Sequence, residues 1–202
     1  AVFVSGGGTN LQAIIDAEKS GIIKSGKTEL VISDNPEAYA LERAKANGIK
    51  TAVVLKNNGQ AEFEKKISEI LAENKIEMII LAGFMCILSA DFTSKWPERI
   101  INIHPSLIPS FCGKGCYGLH VHEKALAYGV KVTGATVHFV NEIPDGGRII
   151  SQKAVYIEDG DTPETLQRRV MEQAEWKIMP QAIDLIANGR VKVEGRRTVI
   201  ED

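Results

Sequence analysis

The sequence predicts a single α/β domain with a mostly parallel sheet and helices on both faces. Three observations lead there. Apolar runs of strand length alternate with amphipathic helical stretches. Several of those runs are apolar without interruption, as strands covered on both faces are. The 202 residues suffice for one such domain and are short for two.

Taken in order, strands are expected near 2–5, 30–33, 51–55, 78–81 and 99–103. Asn35-Pro36 supplies an N-cap and a first-turn proline for a helix over 38–46, and Gly48 ends it. Phe63, Ile67, Ile70 and Leu71 give the i, i+4, i+7, i+8 stripe of a second helix. Beyond residue 104 the texture changes to a loop, 105–118, rich in glycine and proline and carrying Cys112 and Cys116. A helix over 121–128 follows, then strands over 134–140 and 149–157. Asp161-Thr-Pro-Glu164 reads as a capping box opening a long helix to about Ala187, kinked by Pro180. A hairpin over 191–200, turning at Glu194-Gly195, closes the chain. With neither repeat nor linker, 1–202 is expected to act as one unit.

Composition excludes several classes. Lys and Arg number 24 against 26 Asp and Glu, a net charge of −2, so no basic field points to nucleic acid or an anionic membrane. Hydrophobic residues at 44% and charged ones at 25% are ordinary for a globule with a real core, which argues against disorder. No apolar run approaches membrane-spanning length. The first residues carry no charged leader, and three cysteines are too few for a disulfide scaffold, so the expectation is a reduced, cytoplasmic protein.

Two segments carry chemistry. Ser5-Gly-Gly-Gly-Thr-Asn10 joins the first strand to a helix whose apolar stripe is Leu11, Ile14 and Ile15. Glycines let backbone N–H groups approach a ligand, the helix start favours an anion, and Thr9 and Asn10 add donors, so the segment suits a phosphate. Leu11 stands where a dinucleotide fingerprint needs its third glycine, and no Lys-Ser/Thr pair makes a Walker loop. A tight turn with glycines for geometry alone is the alternative. The second segment is Arg99-Ile-Ile-Asn-Ile-His-Pro-Ser106. Asn102 and His104, two residues apart on a strand, share a face where that strand ends. An amide donor beside an imidazole suits acyl-type transfer, and Asp145, in Asp-Gly-Gly, is the candidate carboxylate to orient the ring and raise its pKa. Otherwise Asn102 and His104 are polar loop-entry residues and Asp145 a turn former. His120 and His122 do not face each other as metal ligands would, and His138 reads as a packed or hydrogen-bonded histidine. Cys112-Gly-Lys-Gly-Cys116 reads as a redox or metal clip or, more plainly, a flexible loop with incidental thiols, in which Lys114 is still a candidate to face an anionic ligand.

Together, SGGGTNLQ at 5–12, AGFMCILS at 82–89, NIHPSLIP at 102–109, TVHFV at 136–140 and Asp145-Gly-Gly resemble the glycinamide ribonucleotide transformylases, folate-dependent formyltransferases of purine biosynthesis. The resemblance implies a three-layer, Rossmann-like formyltransferase fold. It implies formyl transfer from 10-formyltetrahydrofolate, as co-substrate, to the glycinamide amine, without a metal. It assigns catalysis to Asn102, His104 and Asp145, the substrate phosphate to Gly8, Thr9 and Asn10, and the substrate amine to Glu175. The folate pocket falls to Met85, Cys86, Ile87 and Leu88, with Asn102 and Gln60. Residues 1–104 form the phosphate-binding half and 105–202 the catalytic-loop and folate-side half. Partners are small molecules, not nucleic acid or membrane, for a monomer or homodimer. A cis Ile108–Pro109 bond is implied as well. Three features depart from the family pattern: Cys86 stands where many members have Arg, Gln60 where some carry a folate-contacting Arg, and the 111–118 loop is longer than in short-loop members. The rivals are a formyltetrahydrofolate hydrolase and a non-catalytic nucleotide-binding module.

Overall fold

The computed structural model describes residues 1–201. A seven-stranded sheet runs in the order β3-β2-β1-β4-β5-β6-β7. Its strands are β1 (Val2–Val4), β2 (Leu30–Ser33), β3 (Lys50–Val53), β4 (Ile79–Leu81), β5 (Ile100–His104), β6 (Val132–Phe139) and β7 (Ile149–Tyr156). The first five pair in parallel, and β6 and β7 add on antiparallel. The helices are α1 (Thr9–Ser20), α2 (Tyr39–Ala46), α3 (Gln60–Glu73), α4 (Ala90–Ser94), α5 (Leu119–Tyr128), α6 (Pro163–Val170) and α7 (Trp176–Ala187).

The side-chain alternation of the strands builds two cores. Val2 and Val4 of β1, Val31 of β2 and Ile101 and Ile103 of β5 face α1, α2, α6 and α7. Phe3, Leu30, Ile32, Ile79 and Ile100 point the other way, onto Phe63, Ile67 and Leu71 of α3 and Phe92 of α4. Phe63 is fully buried and stacks near Phe84. Phe63→Ala is therefore expected to cost about 3–5 kcal/mol, read as a lower urea midpoint at unchanged slope.

The chain leaves β1 toward β2 and β3, then crosses back to place β4 on the other side of β1. The loops after β1 and β4 diverge there, and ligands of open α/β sheets bind in the crevice so formed. Ser5 ties the loops together, its amide donating to Gly83 O at 3.1 Å and its hydroxyl accepting from Met85 N–H at 2.8 Å.

The departures from the sequence expectation are local. Asn35-Pro36 does not cap α2; Asn35 Oδ1 accepts from Glu37 N–H in a turn, and the helix begins at Tyr39 after Ala38. The capping box falls one residue later, between Thr162 and Thr165, with Pro163 in the first turn. The long C-terminal helix departs from α geometry before Pro180, in a π-helical turn at Met171–Glu175. Pro180 itself sits inside α7, where its missing N–H leaves the Trp176 carbonyl without the usual i+4 donor. The hairpin, β8 (Val191–Glu194) with β9 (Arg197–Ile200), forms its own sheet and turns at Gly195-Arg196. The Ile108–Pro109 bond is cis.

Candidate active site

A cavity of about 930 Å³ opens at the carboxyl ends of β1, β4 and β5. One end is the start of α1. Gly8 caps that helix with φ 72° and no side chain, leaving the first-turn amides to an incoming anion. The position demands glycine, because a Cβ there would stand 2.6 Å from Ala40 Cβ. Thr9 and Asn10 line the cavity, and Asn10 Nδ2 donates to Glu175 Oε2 at 2.7 Å. Glu175 is the last residue of the π-helical turn, is buried and lines the cavity. Its burial pushes the carboxyl pKa up to about 7, against the Asn10 hydrogen bond, so it exchanges a proton near neutrality.

At the other end, the face of β5 that carries Ile100 into the α3 core turns polar at Asn102 and His104, where that core gives way to the cavity. Asn102 pairs in register with His138 of β6, and Asn102 Nδ2 lies 3.2 Å from His138 Nε2. His138 Nδ1 donates to Phe139 O at 2.8 Å, which leaves Nε2 of the neutral ring as an acceptor for Asn102. Asp145 enters on a loop that its glycines make possible: a Cβ at Gly147 would overlap the Phe139 carbonyl. Asp145 Oδ2 accepts from Gly113 N–H at 2.8 Å and lies 3.6 Å from His104 Nδ1, while Oδ1 lies 3.6 Å from His138 Nε2.

The electrostatics correct one expectation. Burial lowers the His104 pKa, and the Asp145 charge, though it acts to raise it, does not overcome that effect. His104 is 4% exposed and rests as the neutral ring near pH 7. Its Nε2 carries the hydrogen, because the Phe111 carbonyl 2.9 Å away can only accept. Burial works against the Asp145 carboxylate, but His138, His104 and the Gly113 amide together hold its pKa below the ordinary value.

A formyl transferase profile matches residues 1–183. The chain belongs to the formyl transferase family. It is 41% identical to phosphoribosylglycinamide formyltransferase of Haemophilus influenzae, over 96% of this chain and 89% of that protein. It is 45% identical to the trifunctional purine biosynthetic protein adenosine-3 of Homo sapiens, over 96% of this chain but only 19% of that protein's length. The crystal structure of glycinamide ribonucleotide transformylase 1 from Symbiobacterium toebii superposes with a TM-score of 0.92 at 42% identity, covering 100% of this chain and 92% of that one.

For a member of the formyl transferase family, the distribution of the expected residues is informative. Thr9, Asn10, Met85, Cys86, Ile87, Asn102, His104, Asp145 and Glu175 all line the cavity. Gly8, Gln60 and Leu88 do not. Leu88 is buried in the α3 core, and Gln60 Nε2 donates to Glu64 and to the Ile87 carbonyl, bracing the wall from behind. Cys86 gives its thiol hydrogen to Asp34 Oδ2 at 3.1 Å. Among the described residues no cluster of three His, Cys, Asp or Glu could hold a metal ion, and no helix is long and apolar enough to cross a membrane.

His138 is buried and hydrogen-bonded, as its place in an alternating strand predicts, and it faces both Asn102 and Asp145. One histidine exceeds what the sequence offered. His122 lies on the buried face of α5 and lines the cavity, both ring nitrogens without a hydrogen-bond partner among the described residues, while His120 points outward to Glu123. The only signal was their spacing, since residues two apart on a helix take opposite sides. Burial, with the His104 charge second, lowers the His122 pKa to about 4. The unfolded chain takes up that proton first, from about pH 6.5 downward, so the stability His122 contributes is complete above 6.5 and lost as pH falls to 4. That loss is expected to be on the order of 3 kcal/mol, and smaller in His122→Leu, by urea titration at the two pH values.

Proposed function

We propose that this chain transfers the formyl group of 10-formyltetrahydrofolate to the glycinamide amine of 5-phosphoribosylglycinamide, in the purine pathway its relatives serve. The observation that carries this reading is one cavity lined by the start of α1, Glu175, the Asn102–His104–Asp145 group and the apolar Met85–Ile87 wall. Its volume, about 930 Å³, lies at the upper end for ligand sites and accommodates two small molecules meeting end to end. The substrate phosphate takes the α1 amides with Thr9 and Asn10. The pterin lies against Met85, Cys86 and Ile87.

The amine attacks the formyl carbon, and the carbonyl electrons move to oxygen. Asn102 Nδ2–H and His104 Nε2–H turn from His138 and Phe111 to donate to that oxyanion. Asp145 orients the His104 ring and, with the developing oxyanion, draws a proton onto it against the effect of burial. Glu175, poised near neutrality, accepts from the attacking amine. The oxyanion then re-forms the carbonyl, the bond to the folate nitrogen breaks with its electron pair staying on nitrogen, and the proton taken by Glu175 reaches that nitrogen through His104 or a water. The protein handles small molecules only, with no metal, in the cytoplasm, as a monomer or homodimer. The whole chain serves as one domain, with the phosphate on the 1–104 half and the catalytic loop and folate on the 105–202 half.

The test is absorbance of the released folate after mixing protein and 10-formyl donor, with and without phosphoribosylglycinamide. Release that depends on the ribonucleotide is expected. Release without it makes the protein a hydrolase, and no release from folded protein leaves a nucleotide-binding module.

A further inference from the structure

We propose that Cys112 and Cys116 are a thiol–disulfide exchange site, closed by low-molecular-weight disulfides, whose redox state sets turnover at the adjoining cavity. Both thiols are free and partly exposed. They bracket Gly113-Lys114-Gly115, where a turn brings Cys116 N–H to Gly113 O at 3.0 Å. Gly113 and Gly115 hold φ of 81° and 76°, so the backbone between the sulfurs has freedom that other residues lack.

The loop is wired to the catalytic group through the neighbours of Cys112. On one side the Phe111 carbonyl accepts from His104 Nε2; on the other the Gly113 amide donates to Asp145 Oδ2. Cys116 lines the cavity itself. Lys124 Nζ stands 3.1 Å from Cys116 Sγ, a cation beside a sulfur on which charge develops. Burial raises the Cys112 thiol pKa, followed by the charges of Asp145 and of Cys116, which is near enough to be felt. The third cysteine is set apart: burial and its bond to Asp34 push the Cys86 thiol up to about 11, which leaves almost no thiolate to react.

The exchange balances. The Cys116 thiolate attacks one sulfur of RSSR; that S–S bond breaks and RS⁻ leaves. Cys112 gives its proton to solvent, and its thiolate attacks Cys116 Sγ in the mixed disulfide, expelling the second RS⁻. The two cysteines lose two electrons, and RSSR becomes two RSH. The consequence rests on the formyl-transfer reading: His104 Nε2–H must leave the Phe111 carbonyl to reach the oxyanion. A ring closed across 112–116 repositions Cys112, and with it the Phe111 carbonyl and the Gly113 amide on either side that hold His104 and Asp145. Misplacement of a catalytic group by about 1 Å costs on the order of 10²-fold, and a fall in kcat of that order is expected.

The experiment incubates the full chain with glutathione disulfide, maps the 112–116 peptide by mass and measures turnover before and after dithiothreitol. A Cys112–Cys116 bond with reversible loss of kcat supports the proposal. Cys112→Ser and Cys116→Ser should keep, in the presence of oxidant, whatever turnover they start with. A mixed disulfide that never closes, a closed bond with unchanged kcat, or equal inhibition of both variants overturns it. A reduced protein with no formyl transfer defeats the functional reading instead, while the mass map still reports whether the bond forms.

Discussion

Replacing Asn102 with alanine is expected to lower kcat by about 10²–10³-fold, the loss typical of one missing oxyanion donor, with little change in KM for either substrate. The side chain is half-buried, and among the described residues its amide hydrogen-bonds His138 alone, so it is held in place without carrying the fold. Truncation leaves His138 Nε2 without its donor, a cost on the order of 1–3 kcal/mol. The variant therefore stays folded while losing an interaction made only as the carbonyl oxygen gains charge. Such an interaction lowers kcat and kcat/KM together. Asn102→Asp sharpens the test: it keeps the shape and replaces the donor by a carboxylate that repels the oxyanion, so it should be no better than alanine. An unchanged kcat in a folded Asn102→Ala protein removes the residue from that role.

Why Asn102 could be singled out from sequence, and His122 could not, is a matter of periodicity. The two-residue repeat of a strand is rigid, and the strand segment 99–104 ends against Pro105, so the shared face of Asn102 and His104 and their place at a strand end followed from adjacent residues. The continuous apolar strands gave the sheet on the same grounds, and β2 spans the expected residues. What depended on distant packing was not legible. The buried side of α5 is decided by elements far along the chain, so His122 read no differently from His120. The π-helical turn that contains Glu175 has no local pattern of its own. Gln60 and Leu88, expected at the folate pocket, turn their side chains to Glu64 and to the α3 core. The sign of the His104 shift likewise balances burial against Asp145, and burial is a property of the folded surroundings.

That balance sets the second large effect. Asp145→Asn is expected to keep the fold and to lower kcat by at least on the order of 10²-fold, since a misaligned catalytic group costs that much. Three contacts change at once. The His104 pKa loses the charge that opposes burial, so it falls further and the ring is harder to protonate as the oxyanion forms. The Gly113 amide loses an anionic acceptor, which loosens the loop whose Phe111 carbonyl holds His104 Nε2. His138 loses the carboxylate at 3.6 Å. The acid dependence of stability supplies a readout that a purely kinetic role would not move. Asp145 is held below its ordinary carboxyl pKa of 3.8, so on acidification the unfolded chain binds the proton first. Its contribution is present above that value and is lost as pH falls through it toward the folded one. Wild type should therefore shed stability below about pH 4 more steeply than Asp145→Asn, because the amide has nothing to titrate. Parallel acid limbs in urea titrations, or a variant with wild-type kcat, would show that Asp145 neither holds His104 nor carries the charge that the site needs.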